Sequence, residues 1–242
     1  MSAAHALLIA DLHLDPQRPA VTERFIRLTQ GPARRAEALY ILGDLFEVWV
    51  GDDDDGPHSR RISTALRTLA QHGTRVYLMH GNRDFLMGET FARACTATLL
   101  PDPSVVNLYG VDTLLMHGDA LCLSDPAYTA FRHQTRKPQW QRTLLAKPLA
   151  ERQALAAQLR RQSDHEKQLK SADIMDITPA AAERLMGEYS VTRLIHGHTH
   201  RPRSHALRAN GKPALRHVLA DWSDTYAEAL QCDACGCRRI TV

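Results

Sequence analysis

Seven side chains in five short segments carry most of the chemistry that can be read from this chain: Asp11 and His13 in Asp-Leu-His, Asp44 in Gly-Asp, Asn82 in Gly-Asn-Arg-Asp, His117 in His-Gly-Asp, and His198 with His200 in Gly-His-Thr-His. Carboxylate, imidazole and amide groups are ligands for divalent transition metals such as Mn²⁺, Fe²⁺ or Zn²⁺. If Asp-x-His and His-x-His are extended, strand alternation places both members of each pair on one face, within reach of one cluster. Glycine beside the ligands lets the backbone approach an ion without a Cβ in the way. Seven ligands exceed what one ion takes from protein once water and substrate have places, so two ions sharing a bridging carboxylate is the economical arrangement.

The elements that must position these groups are legible as apolar runs that stop at them. Leu7 to Ala10 runs into Asp11, Leu39 to Leu42 into Gly43-Asp44, and Val76 to Met79 into His80-Gly81-Asn82. Thr113 to Met116 runs into His117-Gly118-Asp119, and Val191 to Ile195 into His196-Gly197-His198. These read as buried strands, and a late strand around Leu215 to Ala220 is expected to complete the sheet. Helical spacing of apolar residues over Ala20 to Leu28 and Arg60 to Ala70 alternates with the early strands, which predicts an α/β layered fold. The carboxyl ends of adjacent strands in such a fold meet in one crevice.

Residues 124–189 break this rhythm and favour helix, so they are expected to form a helical cap inserted into a single domain spanning 1–242. Between Pro126 and Ala172 this stretch holds 10 Lys and Arg against 3 Asp and Glu, which concentrates basic charge on the cap. The whole chain has a formal net charge of only +3, too mild for a duplex-binding footprint. No stretch approaches the roughly twenty apolar residues of a spanning helix, and the protein is expected in the cytoplasm. Five Cys without the spread of a secreted framework suit a reducing compartment. Cys232, Cys235 and Cys237 lack an evident fourth ligand for a zinc site and are given no role. The acidic run Asp52 to Asp55 is expected to be a solvated loop.

The order Asp-x-His, Gly-Asp, Gly-Asn-x-Asp, His-Gly-Asp, Gly-His-x-His, from Ala10 to Pro202, resembles the calcineurin-like metallophosphoesterase superfamily. That resemblance implies a β-sandwich core flanked by helices. It implies a first metal held by Asp11, His13, Asp44 and His200, and a second held by Asp44, Asn82, His117 and His198. Asn82, Arg83 and His117 would be the catalytic residues, acting with a two-metal-activated water. Many members carry His after the Asn, where it can protonate a departing alkoxide, but this chain has Arg83. Arginine cannot serve as a general acid, though it can clamp phosphate oxygens. A phosphate-monoester leaving group, with a second pKa of about 6, needs no such acid, which tilts the reading toward a pyrophosphate bond.

Longer stretches are more specific. Residues 9–14, 40–47, 80–86 and 194–202, with Ile174-Met175-Asp176, resemble the family of UDP-2,3-diacylglucosamine hydrolases nearly word for word. The resemblance implies hydrolysis of UDP-2,3-diacylglucosamine to UMP and 2,3-diacylglucosamine 1-phosphate (lipid X), a step in lipid A biosynthesis, with Mn²⁺ as the metal. It also implies substrate contacts from Asn82, Arg83, Asp125, Ser163, Lys167, Lys170 and His198, and a peripheral place on the cytoplasmic face of the inner membrane. No nucleic acid or protein partner is implied. Two acyl chains need an apolar cleft, for which Phe131, Trp140, Leu144, Leu145, Leu149, Leu155 and Leu159 are the candidates. Three other readings remain: a nucleotide pyrophosphatase acting on a soluble substrate, a scaffold that keeps the fold without catalysis, and a nuclease.

Overall fold

The early strands are apolar on both faces because both faces are covered. A computed structural model of the chain describes residues 4–122, 125–169 and 177–242, with the side chains of 162–169 outside that description. It places β1 (His5–Ile9), β2 (Ala38–Leu42), β3 (Arg75–Met79) and β4 (Ala97–Leu100) side by side in parallel. The odd residues Leu7, Ile9, Leu39 and Ile41 face a layer of three helices, α1 (Pro19–Gln30), α2 (Pro57–Gln71) and α3 (Glu89–Ala94), and pack against Phe25, Leu28, Ile62, Leu66 and Phe91. The even residues Ala6, Leu8, Tyr40 and Leu42 face the other way, against Leu115 and Ile195 of a second sheet and Leu219 just beyond its end.

That second sheet is built from β5 (Ser104–Leu108), β6 (Val111–Met116), β7 (Arg193–His196), β8 (Arg203–Ala209) and β9 (Lys212–Val218), in the spatial order β5-β6-β7-β9-β8. Strands β6, β7 and β9 are parallel, and β5 and β8 are antiparallel edges. Two late strands, β10 (Glu228–Asp233) and β11 (Gly236–Thr241), return to the first sheet, where β10 pairs antiparallel with β1. The architecture is therefore an α/β sandwich of two sheets with helices outside. Where a single sheet is expected from the apolar runs alone, there are two, because periodicity reports burial and not which neighbour does the burying.

Between β6 and β7 lie α4 (Pro126–Thr135), α5 (Pro138–Leu145), α6 (Leu149–Leu169) and α7 (Pro179–Glu188). Proline at the start of α4, α5 and α7 fits the first helical turn, where its missing N–H costs nothing, and Asp125 and Thr178 cap α4 and α7 by accepting the Tyr128 and Ala181 amides. Helix α7 packs Ala181, Ala182 and Met186 against Leu114, Met116 and Leu194 on the outer face of the second sheet, so it is a layer of the core. No described helix is long and apolar enough to cross a membrane.

Two local expectations are also corrected. Cys232 and Cys237 form a disulfide, because they are cross-strand partners in the β10–β11 hairpin with Cα atoms 4.1 Å apart. The acidic run is not simply solvated: Asp52 accepts the Trp49 indole N–H and the backbone N–H groups of Gly88 and Phe91, and Asp53 pairs with Arg152 of α6.

Leu8 is fully buried between the two sheets. Leu8→Ala is expected to lower unfolding free energy by about 2–5 kcal/mol, and Leu8→Met by less than about 1.5 kcal/mol, as read from urea denaturation midpoints.

Candidate metal centre and cleft

Strands β1, β2 and β3 of one sheet and β6 and β7 of the other all run toward the same end of the sandwich, so the loops that follow them interleave. Asp11 N–H donates to Gly43 C=O at 3.2 Å, His13 N–H to Asp44 C=O at 3.0 Å, and Gly197 N–H to His117 C=O at 2.8 Å. The buried carboxylate of Asp84 accepts from the backbone N–H of Gly81 at 2.7 Å and of Leu45 at 2.8 Å, which ties the Asn82 loop to the Asp44 loop. A Cβ at Gly81 would collide with the Asp44 carboxylate, and one at Gly197 with that of Asp11. Asp84 closes the Gly-Asn-Arg-Asp motif, yet its role comes only from the fold.

Asp11, His13, Asp44, His198 and His200 all have left-handed backbone, with φ of 54°, 49°, 52°, 70° and 53°. The expectation that strand alternation aims the Asp-x-His and His-x-His pairs is therefore corrected: both members of each pair turn inward through left-handed residues. Each such non-glycine residue costs on the order of 1–3 kcal/mol and persists only where surrounding contacts over-determine it. The interleaved hydrogen bonds supply that constraint.

The side chains converge. Ligand atoms of Asp11, His13 and His200 lie within 4.8 Å of one another, as do those of Asp11, Asp44 and His117. Asp44 stands between two imidazoles, with one oxygen 3.8 Å from His13 Nε2 and the other 3.7 Å from His117 Nε2. His13 Nε2 is 3.4 Å from His200 Nε2, which in turn is 3.5 Å from an Asp11 oxygen. The His198 ring lies beside His117, at 5.1 Å between centroids, and its backbone N–H donates to Asp11 Oδ2 at 2.8 Å. Its side chain belongs to neither three-residue group.

The donor set fits divalent cations. Asp11 Oδ1 is fully buried with no partner within hydrogen-bond geometry and faces His200 Nε2 at 3.5 Å, so it presents negative charge into the cluster. His117 Nδ1–H donates to the Leu42 carbonyl at 2.9 Å, which turns Nε2 into the site, 3.0 Å from Asn82 Oδ1. Burial works against charge on His117, but the carboxylates of Asp44, Asp11, Asp119 and Asp102 outweigh it and push its pKa up to about 9. A proton on His117 thus stands where a cation would be held. Burial would raise the Asp11 carboxyl, yet the neighbouring His200, His117 and His13 hold it well below the usual carboxylate range, whereas Asp44 is raised by burial. Burial, aided by the charge on His117, pushes His198 down to about 3.

A cleft of about 590 Å³ opens on this cluster. His13, Asp44, Asn82, Arg83, His198 and His200 form its floor, and Asp125 is on its rim. Its walls are Val48, Trp49, Phe85 and Leu86 from the core and Tyr128, Phe131, Trp140, Leu144, Leu155 and Leu159 from the cap. Of the apolar candidates, Leu145 is exposed and neither it nor Leu149 lines this cleft. Ser163 and Lys167 fall in the part of α6 whose side chains are outside the description, and Lys170 lies outside the described residues. A buried polar network that sequence does not reveal fastens α4 to the floor. Asp119 accepts from Tyr128 Oη at 2.7 Å and Arg132 Nε at 2.9 Å, while Asp102 accepts from Arg132 Nη2 at 3.2 Å and from His117 N–H at 3.1 Å.

The family follows from the match of residues 4–202 to the profile described as calcineurin-like phosphoesterase. The chain belongs to the calcineurin-like phosphoesterase family. Among curated relatives, it is 51% identical over 233 residues to a protein of Pseudomonas aeruginosa named UDP-2,3-diacylglucosamine hydrolase, covering 96% of this chain and 97% of that one. Proteins of the same name from Ectopseudomonas mendocina and Cellvibrio japonicus are 52% and 50% identical, covering 95% and 90% of this chain and 95% and 91% of theirs. Membership in a phosphoesterase family agrees with the donor set, and the implied cofactor class is divalent metal.

Because His117 must release its proton to ligate, cation affinity of the metal-free protein is expected to rise with pH until about pH 9 and to level off above it. Calorimetric titration with Mn²⁺ in buffers of differing ionisation enthalpy should show proton release at pH 7 that vanishes above pH 9. Absence of that release would mean that the raised His117 does not compete with metal.

Proposed function

We propose that this calcineurin-like phosphoesterase hydrolyses the pyrophosphate of UDP-2,3-diacylglucosamine to UMP and 2,3-diacylglucosamine 1-phosphate, a step in lipid A biosynthesis. The observation that carries the reading is the junction of an apolar cleft with a metal-ligand floor beside Arg83. A soluble nucleotide would not need the aromatic and leucine walls, whereas a substrate with two acyl chains does. Relatives of matching length that bear the corresponding name support the same substrate.

Asp11, His13, Asp44 and His200 would hold one cation, and Asp44, Asn82, His117 and His198 the other, with Asp44 shared. When bound, a pair of divalent ions, Mn²⁺ in this reading, would supply Lewis acidity toward phosphoryl oxygens and a water of lowered pKa for in-line displacement. The water oxygen would bond to phosphorus as the bridging P–O bond breaks, the electron pair leaving with a phosphate monoester and the water's proton passing to solvent. That group departs without a proton, since its second pKa is about 6. The Arg83 backbone N–H holds Asp44 Oδ1 at 2.8 Å while its side chain borders the cleft, where it would clamp phosphoryl oxygens as charge develops. Asn82 and His198 would border the diphosphate, and Asp125, Ser163, Lys167 and Lys170 would meet the remaining polar part of the substrate. The acyl chains would lie along Phe131, Trp140, Leu144, Leu155 and Leu159.

A basic cap above an apolar cleft also suits a protein that collects its substrate from an anionic lipid surface, and we place it peripherally on the cytoplasmic face of the inner membrane. Co-sedimentation with anionic liposomes should be strong at low salt and weak at high salt. Indifference to anionic lipid would remove the membrane part of the reading.

The Mn²⁺-loaded protein should release UMP from UDP-2,3-diacylglucosamine and leave UDP-sugars without acyl chains nearly untouched. Equal turnover of both would defeat the lipid substrate. Chelation should abolish turnover and Mn²⁺ restore it, and Arg83→Ala should lower kcat by about 10²–10³ with little change in metal content.

A further inference from the structure

Glu47 touches both halves of the molecule. Its backbone N–H donates to Leu14 C=O at 3.1 Å, which fixes it beside the segment carrying Asp11 and His13. One carboxylate oxygen lies 3.0 Å from His13 Nδ1, and the other forms an ion pair with Arg160 of the cap helix α6. His13 Nε2 faces His200 and Asp44, so it is the nitrogen turned toward the metal centre. A ring that gives its Nε2 lone pair to a cation must carry its proton on Nδ1, beside Glu47, and becomes a stronger donor there.

Helix α6 has a second tether of a different kind. Arg152 is buried, donates to Val50 C=O at 2.6 Å and pairs with Asp53, and none of these partners is a candidate ligand. Eight residues, about 12 Å of helix, separate the two arginines. Leu155, Ala156 and Leu159 lie between them and form part of the cleft wall. Arg152 therefore holds the helix whatever the state of the centre, while Arg160 grips a residue that contacts a metal ligand.

We propose that Glu47 is a positioning residue that couples cation occupancy of the centre to the seating of α6 through Arg160, so that the apolar wall is assembled when the cations are in place. The coupling is reciprocal: whatever cations do to the helix, the helix must do to cation affinity by the same factor. The inference rests on the metal-centre part of the proposed function and not on the choice of lipid.

The test uses full-length protein stripped with a chelator, hydrogen exchange of residues 149–160 with and without Mn²⁺, and calorimetric Mn²⁺ affinity. In the wild type, Mn²⁺ should slow exchange across 149–160 by about fivefold or more. Glu47→Ala should weaken Mn²⁺ binding about 10–100-fold and lose that slowing. Arg160→Gln should also lose it, and should weaken Mn²⁺ binding by the factor by which Mn²⁺ slows exchange in the wild type. Arg152→Gln should speed exchange in both states and keep the Mn²⁺-dependent factor, which separates coupling from plain attachment. Wild-type affinity in folded Glu47→Ala, or full Mn²⁺-dependent protection in Arg160→Gln, would overturn the inference. Failure of the wild type to bind Mn²⁺ at all would overturn the metal centre itself, and the inference with it.

Discussion

Everything at the functional end of the sandwich follows from burying the carboxylates of Asp11 and Asp44 among imidazoles. A carboxylate removed from water is costly unless it is hydrogen-bonded and paired with positive charge. Here the protein meets half of the need itself: His198 N–H holds one oxygen of Asp11 and Arg83 N–H one oxygen of Asp44. The remaining oxygens face imidazole nitrogens at 3.5 Å and 3.8 Å, an arrangement at rest only when cations or protons lie between them. The raised pKa of His117 is the same fact seen from the proton side.

Holding those groups together requires backbone that residues with side chains avoid. Left-handed conformations at five of the seven candidate ligand positions are kept by loops from five strand ends that share hydrogen bonds, with Asp84 binding two of the loops together. The sandwich serves the centre by bringing strand ends of both sheets to one pole. The strain is stored where function lies, and the tightly packed sheets behind it supply the stability that tolerates it.

The cap adds a second environment to the first. Asp102 links Arg132 of α4 to the His117 backbone, and Glu47 links Arg160 of α6 to His13, so one contact from each of these helices ends on a candidate ligand histidine. An apolar wall and a polar floor therefore line one cleft. Such a junction suits an amphiphilic substrate whose reacting bond lies between a charged head and two hydrocarbon chains.

Residue type and order along the chain are local properties, and they were enough to single out Asp11, His13, Asp44, Asn82, His117, His198 and His200 as candidates just beyond the ends of buried strands. The apolar runs also foretold β1, β2, β3, β6 and β7, since a strand covered on both faces is apolar along most of its length. Other features depended on partners distant in sequence. Whether the strands make one sheet or two, that α7 belongs to the core, and that Cys232 pairs with Cys237 are decided by neighbours that periodicity does not name. The left-handed turns at the ligands, the Asp84 anchor, the binding of the acidic run to Trp49, Phe91 and Arg152, and the bridge from Glu47 to the cap arise only when loops meet in space. A side chain's chemistry is carried by its own atoms, but its protonation, orientation and partners are set by the field and contacts of the folded whole.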